Sequence, residues 1–289
     1  MPDTLRRRLI LSAAVLPLAF PVRAAPSHAE SRLAQLERQA GGRLGVAARH
    51  TGTGSALAYR ADERFPLCST FKLVLAGAVL HRQGTEPGLL QRRLRYGQSD
   101  LVAYSPVTEK HVGTGMTVAD LCAAALQYSD NSAANALMRM LGGPDAVTAF
   151  ARTVGDATFR LDRWETSLNT AIPGDPRDTS TPAAMTAMLE RLALGDALSA
   201  PARVQLQDWL RGNTTGARRI RAGLPAGWQV GDKTGSGDYG TANDIAVAWP
   251  APDASPLVIA VYYTQTSPDA KWRDDVIAEA ARIVAGDLG

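Results

Sequence analysis

Apolar and polar positions along the chain fall into three regimes. Ala29 to Gln39 repeats with a helical period, Leu33 and Leu36 lying on one side. Leu44–Arg49 and Ser55–Tyr59 then alternate apolar with small residues around Thr51-Gly52-Thr53-Gly54, the pattern of a β-hairpin. From Ser69 to about Leu210 the period is helical again, over Phe71–Leu80, Val118–Gln127, Ala133–Leu141, Asp145–Val154, Pro182–Leu192 and Pro201–Leu210. Pro182 and Pro201 sit where a first helical turn tolerates proline. Between Arg160 and Thr181 a stretch rich in Asp, Pro, Thr and Asn has no clean period, and loops of that length are usually functional. Strands return at Trp228–Thr234, Asn243–Trp249 and Leu257–Thr264, and a helix over Lys271–Val284 closes the chain.

Strands, a helical block, then strands and a helix imply one antiparallel sheet built from both ends of the chain. Terminal helices cover one face, and the helical block forms a second lobe inserted between the strands. Residues 25–60 with 212–289 would make the α/β lobe, and residues 61–211 the all-helical lobe, including the 160–181 loop. A cleft between two lobes is a common ligand site.

Composition adds an export signal. Arg6, Arg7 and Arg8 precede an apolar run from Leu9 to Phe20, and Val22-Arg23-Ala24 places small residues where a signal peptidase reads. The run is too short for a permanent membrane span, and Pro17 and Pro21 would break a buried helix there. Cleavage is expected after Ala24, by either the general or the twin-arginine route, giving a periplasmic or secreted protein. Residues 1–24 hold four arginines against Asp3, a net +3 that equals the whole chain's, so the remainder is neutral. Nothing electrostatic then favours a nucleic-acid or membrane partner. Arg92, Arg93 and Arg95 read as a solvated loop or helix face. His28, His50, His81 and His111 are scattered, so no metal site and no cofactor are expected, and two cysteines make no disulfide framework.

Four short motifs carry the chemistry. Ser69-Thr70-Phe71-Lys72 opens an apolar helix, and a spacing of three puts serine and lysine on one face. A serine hydroxyl is a weak nucleophile and needs such a neighbouring base, while a helix N-terminus favours an oxyanion beside it. Alone the motif is weak, since one Ser-x-x-Lys is expected by chance in about this length. Ser129-Asp130-Asn131 taken singly is a helix N-cap. Lys233-Thr234-Gly235, running into Ser236-Gly237, is singly a strand end, and Glu165-Thr166-Ser167-Leu168-Asn169 a solvated piece of loop.

In this order and context the four resemble the class A serine β-lactamases, the first three motifs being shared with penicillin-binding proteins. The resemblance runs from the hairpin to the final helix. It is strongest in Arg64–Lys72 and Val230–Gly240, the latter similar to the cefotaxime-hydrolysing and related broad-spectrum branches. It implies a two-lobed α/β (α+β) fold like that of β-lactamases and penicillin-binding proteins, with a five-stranded antiparallel sheet and an inserted helical lobe. It also implies a monomer that hydrolyses penicillins and cephalosporins, conferring antibiotic resistance.

By the same resemblance Ser69 is acylated, Lys72 or Glu165 is the acylation base, and Ser129 passes a proton to the ring nitrogen. Asn131 holds the drug's side-chain amide, and Glu165 with Asn169 activates the deacylating water. Backbone N–H groups of Ser69 and Ser236 form the oxyanion hole, and Lys233, Thr234, Gly235 and Ser236 line the carboxylate site. Tyr104 is either the aromatic at the cleft mouth or a packed loop residue. Arg219 is either a carboxylate ligand or a surface residue beside Arg218 and Arg221, and Asp274 stands where some members place an arginine. Arg163 and Asp178 match an ion pair closing the loop. Cys68 and Cys122 face Gly237 and Ala76 at the family's bridging positions, so both are expected reduced. A transpeptidase or a β-lactam sensor would share three motifs but requires no Glu165 with Asn169.

Overall fold

The structure is a computed structural model, and it describes residues 27–289. The export segment and its cleavage site lie outside the described residues. Five strands form one sheet: β1 (Arg43–His50), β2 (Ala56–Tyr59), β3 (Gln229–Ser236), β4 (Ala242–Trp249) and β5 (Leu257–Thr264). Their order is β2-β1-β5-β4-β3, every pair antiparallel. The two ends of the chain thus meet at the β1–β5 pair, and β3 is an edge.

Strand alternation divides β5 between two cores. Leu257, Ile259, Val261 and Tyr263 pack with Leu33 of helix α1 (His28–Ala40) and Ile277 of the C-terminal helix. Val258, Ala260 and Tyr262 point the other way and join the core of the helical block. This period of two explains why the strand reads as a continuous apolar run, since both faces are covered. Gly45 in β1 lets the block approach: a Cβ there would lie 2.4 Å from the Phe65 ring and 2.9 Å from Pro182.

The block comprises α2 (Lys72–Thr85), α3 (Val118–Gln127), α4 (Asn131–Leu141), α5 (Pro144–Thr153), α6 (Pro182–Ala193) and α7 (Ala200–Arg211). Helix α2 is buried continuously from Lys72 to Leu80, so it forms the spine of this two-lobed α/β architecture. Caps set several ends. Ser27 and Glu30 make a capping box on α1, and Gly41 ends it at φ 76°.

The C-terminal helix, α8, runs Asp274–Leu288 and starts later than the periodicity predicts. Asp274 and Asp275 in its first turn suit the positive helix end. The preceding residues are engaged elsewhere, Lys271 O accepting from Gln265 Nε2 and Trp272 Nε1 donating to Gly237 O. The 160–181 stretch is also less irregular than expected. It contains a 3-10 turn at Ser167–Thr170, and Thr179–Ser180 pair with Phe65–Pro66. The Arg92–Arg95 cluster is solvated, as predicted, near the small Arg93–Leu94/Met116–Thr117 ladder.

Candidate active site

Ser69 sits in a 3-10 turn, Cys68–Phe71, that runs without a break into α2. Lys72 one turn on is fully buried, and its Nζ lies 3.0 Å from Ser69 Oγ. The same ammonium nitrogen donates to Asn131 Oδ1 at 2.7 Å and Ser129 O at 2.8 Å, and lies 3.0 Å from Glu165 Oε1. Burial lowers the Lys72 pKa, and the Glu165 charge opposes that shift. Ser69 Oγ itself reaches Glu165 Oε1 at 3.4 Å. Three of the four motifs therefore meet at the Lys72 nitrogen.

Each motif arrives by its own device. In Ser129-Asp130-Asn131 both readings of the sequence hold, on different residues. Asp130 is the α4 N-cap, accepting from Ala133 N, Val107 N and Thr108 N. That leaves Ser129, at φ 58°, and Asn131 facing the cleft. Cys68 (φ 44°), Tyr104 (φ 61°) and Ser129 all occupy the left-handed region, strain that clusters at functional sites.

Lys233-Thr234-Gly235 lies inside β3 rather than at its end, paired with Ile245, Asp244 and Asn243. Lys233 is fully buried, and its Nζ donates to Ser129 Oγ at 3.1 Å and Thr234 O at 2.7 Å. Burial, reinforced by the Lys72 charge, depresses its pKa strongly. Gly237 keeps the strand close to the loop, because a Cβ there would meet Asn169 O at 2.6 Å and Cys68 Sγ at 2.7 Å. Cys68 and Cys122 are free and buried, which raises both thiol pKa values.

Glu165 is held at three points. Asn135 clamps its backbone, Nδ2 donating to Glu165 O at 2.9 Å and Oδ1 accepting from Glu165 N at 3.0 Å. Asn169 Nδ2 donates to Glu165 Oε2 at 2.5 Å, and Asn169 Oδ1 is buried with no partner among the described residues. Arg163 Nε meets Asp178 Oδ2 at 2.5 Å across the base of the loop.

Arg219 is not a surface residue: it is 5% exposed. Its Nη1 donates to Gly235 O and Asn243 O, its Nε to Asp274 Oδ1, and its Nη2 to Ser236 Oγ at 2.7 Å. Taking up that acceptor leaves the Ser236 hydroxyl proton free for the cleft. Tyr104 is likewise not packed; the residue is 60% exposed on the cleft lining.

A sequence model of the β-lactamase enzyme family matches residues 28–288. The chain belongs to that family. It is 55% identical to β-lactamase CTX-M-25 of Escherichia coli, over 98% of either chain. It is 56% identical to a carbapenem-hydrolysing β-lactamase KPC of Klebsiella oxytoca, over 98% of this chain and 97% of that one. Among solved structures, a β-lactamase from Desulfarculus baarsii superposes with a TM-score of 0.89 at 60% identity, covering 90% of this chain and 97% of the other. A mutant class A β-lactamase of the last common ancestor of Gram-negative bacteria gives 0.87 at 60% identity, covering 90% and 98%. This β-lactamase is therefore of class A, a serine hydrolase of the β-lactam amide bond.

Sequence reading missed several residues of the cleft. Asn135 follows Asn131 by four, one helical turn along the same face, which was a usable signal. Thr215 shares a short 2.5 Å hydrogen bond with Thr234 and is anchored through Asn213 to Asp232. Trp272 lines the cleft from the segment before α8. Neither of these two lies in a motif.

Proposed function

We propose that this β-lactamase acts through Ser69 acylation, with Lys72 as the acylation base and Glu165 as the deacylation base. One observation carries the reading: Ser69 Oγ lies 3.0 Å from Lys72 Nζ and 3.4 Å from Glu165 Oε1. Lys72 is the nearer, and burial favours its neutral form, which can accept a proton.

In acylation the Ser69 oxygen attacks the lactam carbonyl, whose oxygen gathers charge against the N–H groups of Ser69 and Ser236. The Ser69 proton goes to Lys72. The C–N bond then breaks as Ser129, 3.4 Å from Lys72 Nζ, donates its proton to the ring nitrogen and takes one from Lys72. Asn131 holds the acyl side-chain amide. Lys233, Thr234 and Ser236 hold the carboxylate, with Arg219 directing the Ser236 hydroxyl. In deacylation Glu165 removes a proton from water held by its carboxylate and by Asn169 Oδ1. The water oxygen displaces Ser69, which recovers its proton as the ring-opened acid leaves.

The substrates of this reading are penicillins and cephalosporins, met by a periplasmic monomer with no cofactor, nucleic acid or membrane partner. Among the described residues no helix is long and apolar enough to cross a membrane. Residues 25–60 with 212–289 act as the α/β lobe and 61–211 as the helical lobe, the cleft between them. Steady-state turnover of a chromogenic cephalosporin and a penicillin tests the reading. Ser69→Ala should abolish both; retained hydrolysis would assign the chemistry to another residue.

A further inference from the structure

We propose that Trp272 and Arg218 form a subsite for a flat substituent on the ring carbon next to the substrate's carboxylate-bearing carbon. The inference rests on the proposed carboxylate site and extends it to a class of preferred substrates.

Trp272 is 56% exposed where it lines the cleft. It is nevertheless fixed in place. Its Nε1 donates to Gly237 O at 2.9 Å, and the backbone before it is tied by Gln265 Nε2 to Lys271 O at 2.8 Å. A held, exposed indole costs little entropy when a ligand stacks on it.

Its position indicates what would cover it. Trp272, Arg218 and Asp274 line both the Ser69 cleft, about 370 Å³, and an adjoining recess of about 460 Å³. The cleft lining includes Asn131, Tyr104 and Asn169, beside which the acyl side chain is proposed to lie, and Thr234, Ser236 and Arg219, the proposed carboxylate site. Trp272 is linked to the carboxylate site through its chain neighbours, and Gly237, which accepts its indole N–H, lies also against Asn169 O. Gly237 follows Ser236, and Asp274, two residues after Trp272, joins Arg219 at 2.8 Å and Arg218 at 2.9 Å.

In a bicyclic β-lactam such as a cephalosporin, the carbon beside the carboxylate-bearing one carries the variable group. With the carboxylate on Thr234 and Ser236, that group extends toward Trp272. The charges lining the recess, Arg218 and Lys271 against Asp238, Asp269 and Asp274, are mixed in sign. They select no strongly charged group, so an uncharged flat ring fits best, stacked on the indole with the Arg218 guanidinium at its edge.

The test uses two cephalosporins with the same acyl side chain, one bearing a vinyl group at this carbon and the other an arylvinyl group that stays on the ring. Trp272→Ala should raise KM for the arylvinyl substrate about 3–10-fold, leave kcat within about twofold, and barely move the vinyl substrate. Trp272→Phe keeps a stacking face but loses the bond to Gly237, and should restore most of the KM. Equal KM changes for both substrates would overturn the proposal. So would a Trp272→Phe variant no better than Trp272→Ala, which would reduce the indole to a prop for Gly237. If the unmutated protein turned over neither compound, the catalytic reading itself would fail, a distinct result.

Discussion

Arg163→Ser removes one half of the latch that closes the loop carrying Glu165. The Asp178 side chain is 1% exposed and that of Arg163 18%, so the substitution strands a buried carboxylate. Breaking such a pair typically costs about 3–5 kcal/mol. Two backbone donors remain on Asp178 Oδ1, from Asp162 N at 2.7 Å and Arg163 N at 2.9 Å. They offset part of the loss and put the expected value near the lower end, about 3 kcal/mol. For a chain of this size that corresponds to a fall in Tm of roughly 6–12 °C. Asp178→Asn leaves instead a partly solvated arginine and should cost less. Arg163 Nη1 also donates to Thr170 Oγ1 at 2.9 Å, so Arg163→Ser loosens the turn that holds Asn169 and should slow deacylation. Scanning calorimetry gives Tm, and stopped-flow absorbance separates the acylation burst from steady turnover. A Tm within about 1 °C of the unmutated protein would refute a desolvated, structurally important pair.

Three further outcomes are expected. Arg219→Ala should lower kcat/KM by about one to two decades, a loss of roughly 1.5–3 kcal/mol, through a misdirected Ser236 hydroxyl. It should also lower Tm, because two buried carbonyls lose a donor and Asp274 is left with Arg218 alone; unchanged kcat/KM well below Tm would remove Arg219 from substrate recognition. Glu165→Ala deletes the leading influence that raises the Lys72 pKa, so that pKa should fall further. Protonated Lys72 cannot accept the Ser69 proton, so the acid limb of the acylation rate should move to lower pH, and a shift to higher pH in burst kinetics would contradict Lys72 as base. Chelator should leave turnover unchanged, and a loss that zinc restores would exclude a metal-free serine mechanism.

Much of this was legible in the sequence because it is local. Leu257–Thr264 is a strand with the predicted bounds, since unbroken apolar β-formers bury on both faces. Ser69 and Lys72 meet because a spacing of three is one helical turn, and Asp178 waits for Arg163 because the loop closes on itself. What was not legible depends on contacts between distant segments. The last helix begins at Asp274 because Trp272 bonds to Gly237, thirty-five residues earlier in the chain. Arg219 could be read in two ways, and what buries it, the carbonyls of Gly235 and Asn243, comes from segments distant in the chain. Thr215 has no sequence mark at all, and its place follows from the closeness of Thr234.

The central claim is a covalent intermediate on Ser69 whose hydrolysis needs Glu165. General-base assistance contributes about 10²–10⁴-fold, so Glu165→Ala should acylate and then stall. Mixed with a chromogenic cephalosporin, that variant should release one equivalent of opened product per active site, and mass spectrometry should find the adduct on the peptide containing Ser69. Turnover by Glu165→Ala at the unmutated rate, or an adduct on any other residue, would contradict the account.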